Sequence, residues 1–347
     1  MCYNSGMKIL IVDHSCHKRT NSVSFFQELL MKCFKVETHY YDECYKCNIP
    51  ADKIAWADVI VFWEFLQSRF TLGVPGKRCV FVPMYDNEWG SKWQWRRLAI
   101  SKMKVLSFCR KLTEHAGKNG IGMENLLNVR FSYSPVDFVG MSGDSRKVIL
   151  WERGEVTFDA VKQMFHPEDV DSVIIVRRKE ENVAYAPISK EDKTSYKVEV
   201  KYGGFLPKDE YMDMISQAGI YIAPRLKEGI GMSFLEQMAM GKCVISHDEA
   251  TMNEYIRSGE NGILVDMGNP RHISKEEIET VRLNVCNSVC AMYGKWENDK
   301  YAIIEFFEEI NNSEVLGSPW NIKSLIMYPI YLCEGALMRL MSRCKSS

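Results

Sequence analysis

The stretch EGIGMSFLEQMAMG, Glu228–Gly241, decides the fold. It follows IYIAP (Ile220–Pro224), an apolar run with the content of a buried strand. Gly229 and Gly231 make its first part a loop, because glycine takes backbone angles closed to other residues and admits a ligand closely. Ser233 then reads as a helix N-cap, with Glu236 at the spacing of a capping box. Leu235, Met238 and Ala239 keep helical spacing, and Gly241 supplies the stop. The next strand is KCVISHDEA, followed by NEYIRSGENGILVD, a helix and hairpin-like return.

The same alternation runs outward in both directions. Upstream of the stretch come KVILWER, FDAVKQMF, DSVIIVRR, YKVEVKYGGFL and DEYMDMISQAG, read as strand, helix, strand, strand and helix. The first third repeats the pattern: MKILIVD (Met7–Asp13), VSFFQELLMKCF, KVETHYY, ADVIVFWEF, KRCVFVPMYD, then KVLSFCRKLTEHAGKNG. Continuous apolar runs of this length suit parallel strands covered on both faces. NVRFSYSPVDFVGMSGDSRK (Asn128–Lys147) is richer in Ser, Gly and Pro and reads as a linker. A long helical region runs from about Lys275 to Asn311. The expected architecture is α/β, with two doubly wound Rossmann-like domains facing a central cleft at the carboxyl ends of their strands. Residues 1–140 form the acceptor domain and 141–305 the donor domain. Residues 306–347 form a C-terminal helical segment that packs back on the N-terminal domain or lies on a membrane surface.

The bulk numbers exclude several function classes. A chain of 347 residues with a net charge of −1 is no nucleic-acid binder working through bulk electrostatics. Twelve scattered cysteines, with no secretory leader before MKILIVD, read as reduced thiols of a cytosolic protein. Cys44 and Cys47 make one CxxC, but zinc needs four ligands and no second pair follows at finger spacing. The tail WNIKSLIMYPIYLCEGALMRLMSR (Trp320–Arg343) is interrupted by Lys323, Glu334 and Arg339, too often for a membrane span. It reads either as a packed terminal helix or as an interfacial segment.

The opening stretch also carries chemistry. A helix N-terminus after a glycine loop favours an anion through its free amides and its dipole. A carboxylate at the loop mouth accepts bonds from sugar hydroxyls. Glu228, at the mouth, and Glu236 therefore suit a ligand with both phosphate and hydroxyls, such as a nucleotide sugar. The alternative is a solvated loop acid and a plain capping residue.

PRLKEGIGMSFLEQMAMGKCVIS followed by GENGILVD (Gly259–Asp266) resembles the donor-site signature of retaining GT-B glycosyltransferases of the large family 4 type, in which seven residues separate two Glu. The matching positions are Pro224, Glu228, Gly229, Gly231, Glu236, Ala239, Gly241, Val244, Ile245, Gly259, Gly262, Leu264 and Val265. The resemblance implies that Glu228 contacts hydroxyls of the transferred sugar and that the amides from Gly229 through Ile230 and Gly231 to Met232 approach sugar and phosphates. It implies that Glu236 binds the ribose, and that the turn containing Gly204 and Phe205 lies beside the nucleobase. Arg153 matches the family's diphosphate-binding Arg. Its Lys partner is missing, because Val156, Thr157 and Phe158 occupy that region, and Arg225 or Lys227 is a substitute. In the N-terminal domain the paired-glycine turn is replaced by HSCHKRTNS, and the His near the reacting carbon by Met84, Tyr85 and Asp86. His14, His17, Lys18, Arg19, Tyr85 and Asp86 are the acceptor-side candidates.

The implied function is a retaining hexosyltransferase acting from a UDP- or GDP-linked sugar to a saccharide or lipid-linked saccharide acceptor. Surface polysaccharide or glycolipid assembly at the cytoplasmic face of the membrane is the implied setting. No metal and no further cofactor is required, and no nucleic acid is involved. A catalytically silent binding subunit and a sugar-nucleotide epimerase are the alternatives on the same fold.

Overall fold

The computed structural model describes residues 6–42, 47–87, 92–178, 185–203 and 207–312. The chain divides into two compact units, Met1–Val129 with Lys300–Ser347, and Arg130–Asp299.

The first unit alternates β1 (Lys8–His14), α1 (His17–Thr20), α2 (Ser24–Met31), β2 (Lys35–Tyr41), α3 (Ala51–Trp56), β3 (Val59–Glu64), β4 (Arg78–Pro83), α4 (Lys92–Ile100), β5 (Lys104–Ser107), α5 (Arg110–Lys118) and β6 (Leu126–Asn128). Its six-stranded sheet runs β2-β1-β3-β4-β5-β6, parallel throughout. Ile9–Val12 and Val59–Trp63 are all buried, as strands covered on both faces must be. Phe26 packs on Trp63 with ring centroids 5.0 Å apart.

The second unit contains β7 (Asp144–Glu152), α6 (Phe158–Met164), β8 (Ser172–Arg178), α7 (Lys190–Ser195), β9 (Val198–Gly203), α8 (Lys208–Ser216), β10 (Ala218–Ile222), α9 (Met232–Ala239), β11 (Cys243–His247), α10 (Met252–Tyr255), β12 (Ile263–Val265) and α11 (Lys275–Asn312). Its parallel order is β12-β11-β10-β7-β8-β9. The expected hairpin-like return after α10 is corrected: β12 pairs parallel to β11, so the chain crosses over instead of folding back. The residues of α11 from Lys300 belong to the first unit, where Phe307 meets Phe26 and Phe34 at 6.2 and 6.1 Å.

The Ser- and Gly-rich stretch around residue 135 is packed, not bare. Phe131 meets Tyr133 and Trp296, with centroids 4.9 and 5.3 Å apart. Seven described cysteines are free thiols. Cys33 is disulfide-bonded, which corrects the expectation of reduced thiols throughout. Sequence spacing does not record which thiols a fold brings together. Cys47 of the CxxC is a buried free thiol, pushed up to about 11 by burial, and Cys44 lies outside the described residues. The tail from Trp320 and the turn Gly204–Phe205 also lie outside them.

Candidate functional site

The chain leaves β7 for β8 on one side and returns to β10 on the other. The carboxyl ends of β7 and β10 therefore flank a topological switch point, where open parallel sheets leave a crevice. Arg153 directly follows β7, and the loop carrying Lys227 to Gly231 follows β10. One buried side chain at the end of β10, Tyr221, senses the charges of both loops. Burial is the main influence raising the pKa of its phenol. Glu228 and Glu236 raise it further, while the Ser233 hydroxyl and Arg153 oppose the rise. Arg153, Glu228 and Glu236, separated by as many as 83 residues in the chain, thus share one electrostatic neighbourhood.

The loop after β10 is pinned from outside. The Thr251 hydroxyl, fully buried, lies 2.8 Å from the Glu228 carbonyl and 3.0 Å from that of Gly229. The Leu226 amide donates to the Glu155 carboxylate at 2.9 Å. Ile230 is buried, Glu228 and Met232 are half-buried, and Lys227 is exposed.

The capping box is not formed. α9 starts at Met232 with Gly231 as its N-cap at φ 80°, and no side chain caps it. The left-handed Gly231 begins the helix two residues early, so Ser233 falls inside the first turn and cannot cap. A Cβ at Gly231 would also run into the Phe234 ring. Glu236 Oε2 instead accepts the Tyr211 hydroxyl at 2.7 Å. Tyr211 lies against Trp151, with centroids 6.0 Å apart. Burial and then the Glu236 charge push the Tyr211 phenol far up. Burial and then Glu236 act likewise on Tyr133. Glu236 therefore sits among tyrosine hydroxyls. Gly241, at φ 79°, ends α9 as expected, with the Lys242 amide reaching back to the Gln237 carbonyl.

In place of the missing Lys, Val156 and Phe158 are buried and Thr157 is the N-cap of α6. Glu152, immediately before Arg153, is buried and paired with Arg177 at 2.5 Å.

The first sheet has its own switch point, between β1 and β3. His17 Nδ1 lies 2.6 Å from Asp13 Oδ1 and Nε2 lies 3.0 Å from Glu64 Oε2. Asn87 donates to the other Glu64 oxygen at 2.5 Å. Glu64 holds φ 65°, a strained backbone for a non-glycine residue. Of the other acceptor-side candidates, His14 contacts the Asp42 carbonyl at 2.9 Å. Arg19 is exposed, Asp86 is half-buried, and Tyr85 is buried with the Lys111 ammonium over its ring. Asp13 and Glu64 were missed from sequence. Their signal was available, an acid closing each apolar strand run. Among the described residues no group of three or more His, Cys, Asp or Glu side chains is arranged to hold a metal ion. No described helix is long and apolar enough to cross a membrane.

Residues 182–285 match the family model for glycosyl transferases group 1. An uncharacterized glycosyltransferase of Methanocaldococcus jannaschii is 22% identical over 183 residues, 48% of this chain and 52% of the relative. The chain thus spans about half of that relative's length. A glycosyltransferase from Rickettsia africae superposes with TM-score 0.64 at 10% identity, over 89% of this chain and 100% of that one. HepE of Anabaena, solved with UDP and glucose, gives 0.54 at 14% identity over 87% and 100%. The two parallel sheets with flanking helices match the two-domain α/β fold of these GT-B proteins. The segment 182–285 that matches the family model contains both glutamates of the opening stretch.

Proposed function

We propose that this chain transfers a sugar from a nucleotide-sugar donor to a saccharide or lipid-linked saccharide, with retention of anomeric configuration. The observation that carries the reading is the placement at the β7/β10 switch point of Arg153, directly after β7, and of the loop that carries Glu228 and leads into α9 with Glu236, directly after β10. In the proposed complex, Glu228 accepts hydrogen bonds from the sugar hydroxyls and Glu236 from the ribose. Gly204 and Phe205 lie beside the base. Arg153, with Lys227 as a further cation and the amides at the start of α9, faces the diphosphate.

The anomeric carbon–phosphate oxygen bond breaks, and its electron pair leaves with the diphosphate. The acceptor oxygen attacks from the same face, and its proton passes to the departing phosphate oxygen. Charge develops chiefly on the diphosphate, so fixed donors aimed at it carry most of the catalysis. UDP is the first donor base to test, because HepE was solved with it. His14, His17, Arg19, Tyr85 and Asp86 are the proposed acceptor-side residues. Surface polysaccharide or glycolipid assembly at the inner face of the membrane is the proposed setting.

The test is a thermal-shift screen against UDP, GDP, ADP and their sugars, followed by turnover. A ligand that binds only the folded state at a hundred times its Kd adds about 2.7 kcal/mol. Glu228→Ala is expected to remove most turnover while keeping nucleotide affinity, and Glu236→Ala to weaken nucleotide binding itself. Near-full turnover in Glu228→Ala would sink the assignment. Donor consumption in the absence of any acceptor would favour an epimerase.

A further inference from the structure

A second candidate site lies in the first unit, between α4 and α5. Trp95 of α4 meets His115 of α5 edge-on, with centroids 5.7 Å apart. Beside this contact is a pocket of about 710 Å³, lined by Lys92, Arg96 and Ile100 of α4, by His115 and Lys118 of α5, and by Asn119, the α5 C-cap. Lys92, Arg96 and Lys118 bring three cations to it, and no carboxylate lines it among the described residues. None of the three cations is ion-paired to a described carboxylate. The neighbouring Glu114 instead faces Arg110, 3.7 Å away.

Both lysines converge on the imidazole. Burial, then Lys118, then Lys92 hold the His115 pKa below its ordinary value. Its Nε2 accepts from Asn119 at 3.2 Å. Helix electrostatics explain only part of the arrangement. Lys118 ends α5, where a cation complements the dipole, but Lys92 opens α4, where a cation opposes it. Lys92 and Arg96, one turn apart, face the pocket from the same side of α4. Concentrated, uncompensated positive charge in a concave site is what a phosphate group neutralises, with Arg offering a planar pair of donors. Exposed apolar side chains accompany the cations: Ile100, which lines the pocket, is 64% exposed, and Trp93, beside Arg96, 56%. The Arg96 guanidinium lies 5.6 Å from the Trp93 ring centroid.

We propose that the α4–α5 pocket binds the phosphate of a phosphate ester, carried either by a soluble metabolite or by an anionic lipid headgroup. The exposed Trp93 and Ile100 make the lipid source chemically suitable, since aromatic and aliphatic side chains beside cations settle at a headgroup boundary. The proposal does not depend on glycosyl transfer, so it stands or falls separately from the proposed function.

The experiment uses the full chain with carbon-labelled histidine. His115 is titrated by NMR in glycerol phosphate and in sodium chloride of equal ionic strength. Bound phosphate offsets the two lysines, so the His115 midpoint moves up in glycerol phosphate alone. In parallel, vesicles of phosphatidylglycerol and of phosphatidylcholine are co-sedimented with the wild type and with a Lys92→Ser, Arg96→Ser, Lys118→Ser variant. Each surface cation contributes about fivefold, so the triple variant loses on the order of a hundredfold in affinity for the anionic vesicles if the source is lipid. Lys118→Gln alone, losing about fivefold, serves if the triple variant does not fold. A His115 response identifies a soluble source, and variant-sensitive vesicle binding a lipid one. An unmoved His115 together with vesicle binding that is absent, or equal in wild type and variants, overturns the proposal.

Discussion

His17 offers the sharpest quantitative prediction. Its ring is 13% exposed and held between two carboxylates, Asp13 at 2.6 Å and Glu64 at 3.0 Å, of which Asp13 is fully buried. Burial is the largest single influence and opposes the charge. The hydrogen bonds His17 makes to Asp13, Cys16 and Glu64, together with the Asp13 charge, outweigh it and push His17 up to about 12. In the unfolded chain the same imidazole titrates near 6.5. The folded state therefore keeps a proton that the unfolded state sheds. That stabilisation is fully present below pH ~6.5 and is lost as pH rises toward the folded value. The slope is about 1.4 kcal/mol per pH unit, or about 2.7 kcal/mol between pH 7 and pH 9. Against a total stability of about 5–15 kcal/mol, this is measurable. The assay is amide hydrogen exchange of Leu10–Val12 and Ile60–Phe62, corrected for the pH dependence of intrinsic exchange, because strand amides of the first sheet report openings that expose His17. His17→Gln leaves Asp13 buried without its cation and is expected to cost about 3–5 kcal/mol at pH 7. Protection that stays flat from pH 7 to 9, with a His17→Gln loss below about 1 kcal/mol, would refute a charged His17 in the folded protein.

The remaining predictions concern the second unit. Lys242 is fully buried, its ammonium hydrogen-bonded to the Ile215 carbonyl and to Gln237, and burial pulls its pKa down to about 7. An unfolded lysine titrates near 10.4, so strand amides Ile220–Ile222 should gain protection by about 1.4 kcal/mol per unit as pH rises from about 7 to about 10. This slope is opposite to that of the first sheet, and Lys242→Met should flatten it. Tyr211→Phe removes the 2.7 Å bond to Glu236, a charge-assisted hydrogen bond worth about 1.5–3 kcal/mol. Nucleotide affinity by calorimetry should fall about tenfold or more, and an unchanged affinity would show that Tyr211 does not position Glu236. Gly231→Ala forces a left-handed residue at φ 80° and a Cβ against the Phe234 ring. It should lower Tm by the equivalent of at least about 1 kcal/mol, a loss that Gly259→Ala, at nearly the same φ but with open space at its Cβ, should match only if strain alone governs both sites.

The parallel strands were legible because burial on both faces writes them as continuous apolar runs. MKILIVD, ADVIVFWEF and DSVIIVRR became β1, β3 and β8 with little change at their ends. Helix α11 was legible through its length and period. What misled was local chemistry competing with the backbone. Ser233 and Glu236 have the residues and spacing of a capping box, yet Gly231 takes the left-handed conformation and starts the helix first. The partner that Glu236 takes instead, Tyr211, lies 25 positions away on another helix, and no local rule names it. The return after α10 failed for a similar reason. A glycine turn followed by an apolar triplet is common to hairpins and crossovers, and only the partner strand distinguishes them.

The same distinction separates what the motif specifies from what the fold must add. Glu228 lies in a loop with two glycines nearby, and such a loop has no intrinsic geometry of its own. Its position comes from Thr251, which lies against two successive carbonyls, and from Glu155, which takes the Leu226 amide across 71 positions of chain. A single hydroxyl has one proton to donate, so Thr251 must share it between the Glu228 and Gly229 carbonyls or choose one. The loop is therefore held most firmly at Leu226 and less rigidly at Glu228 and Gly229. That gradient suits the role proposed for Glu228, a carboxylate that follows a sugar through bond breaking while its backbone stays anchored. In that reading Glu155 and Thr251 are positioning residues, acting through the loop that carries Glu228.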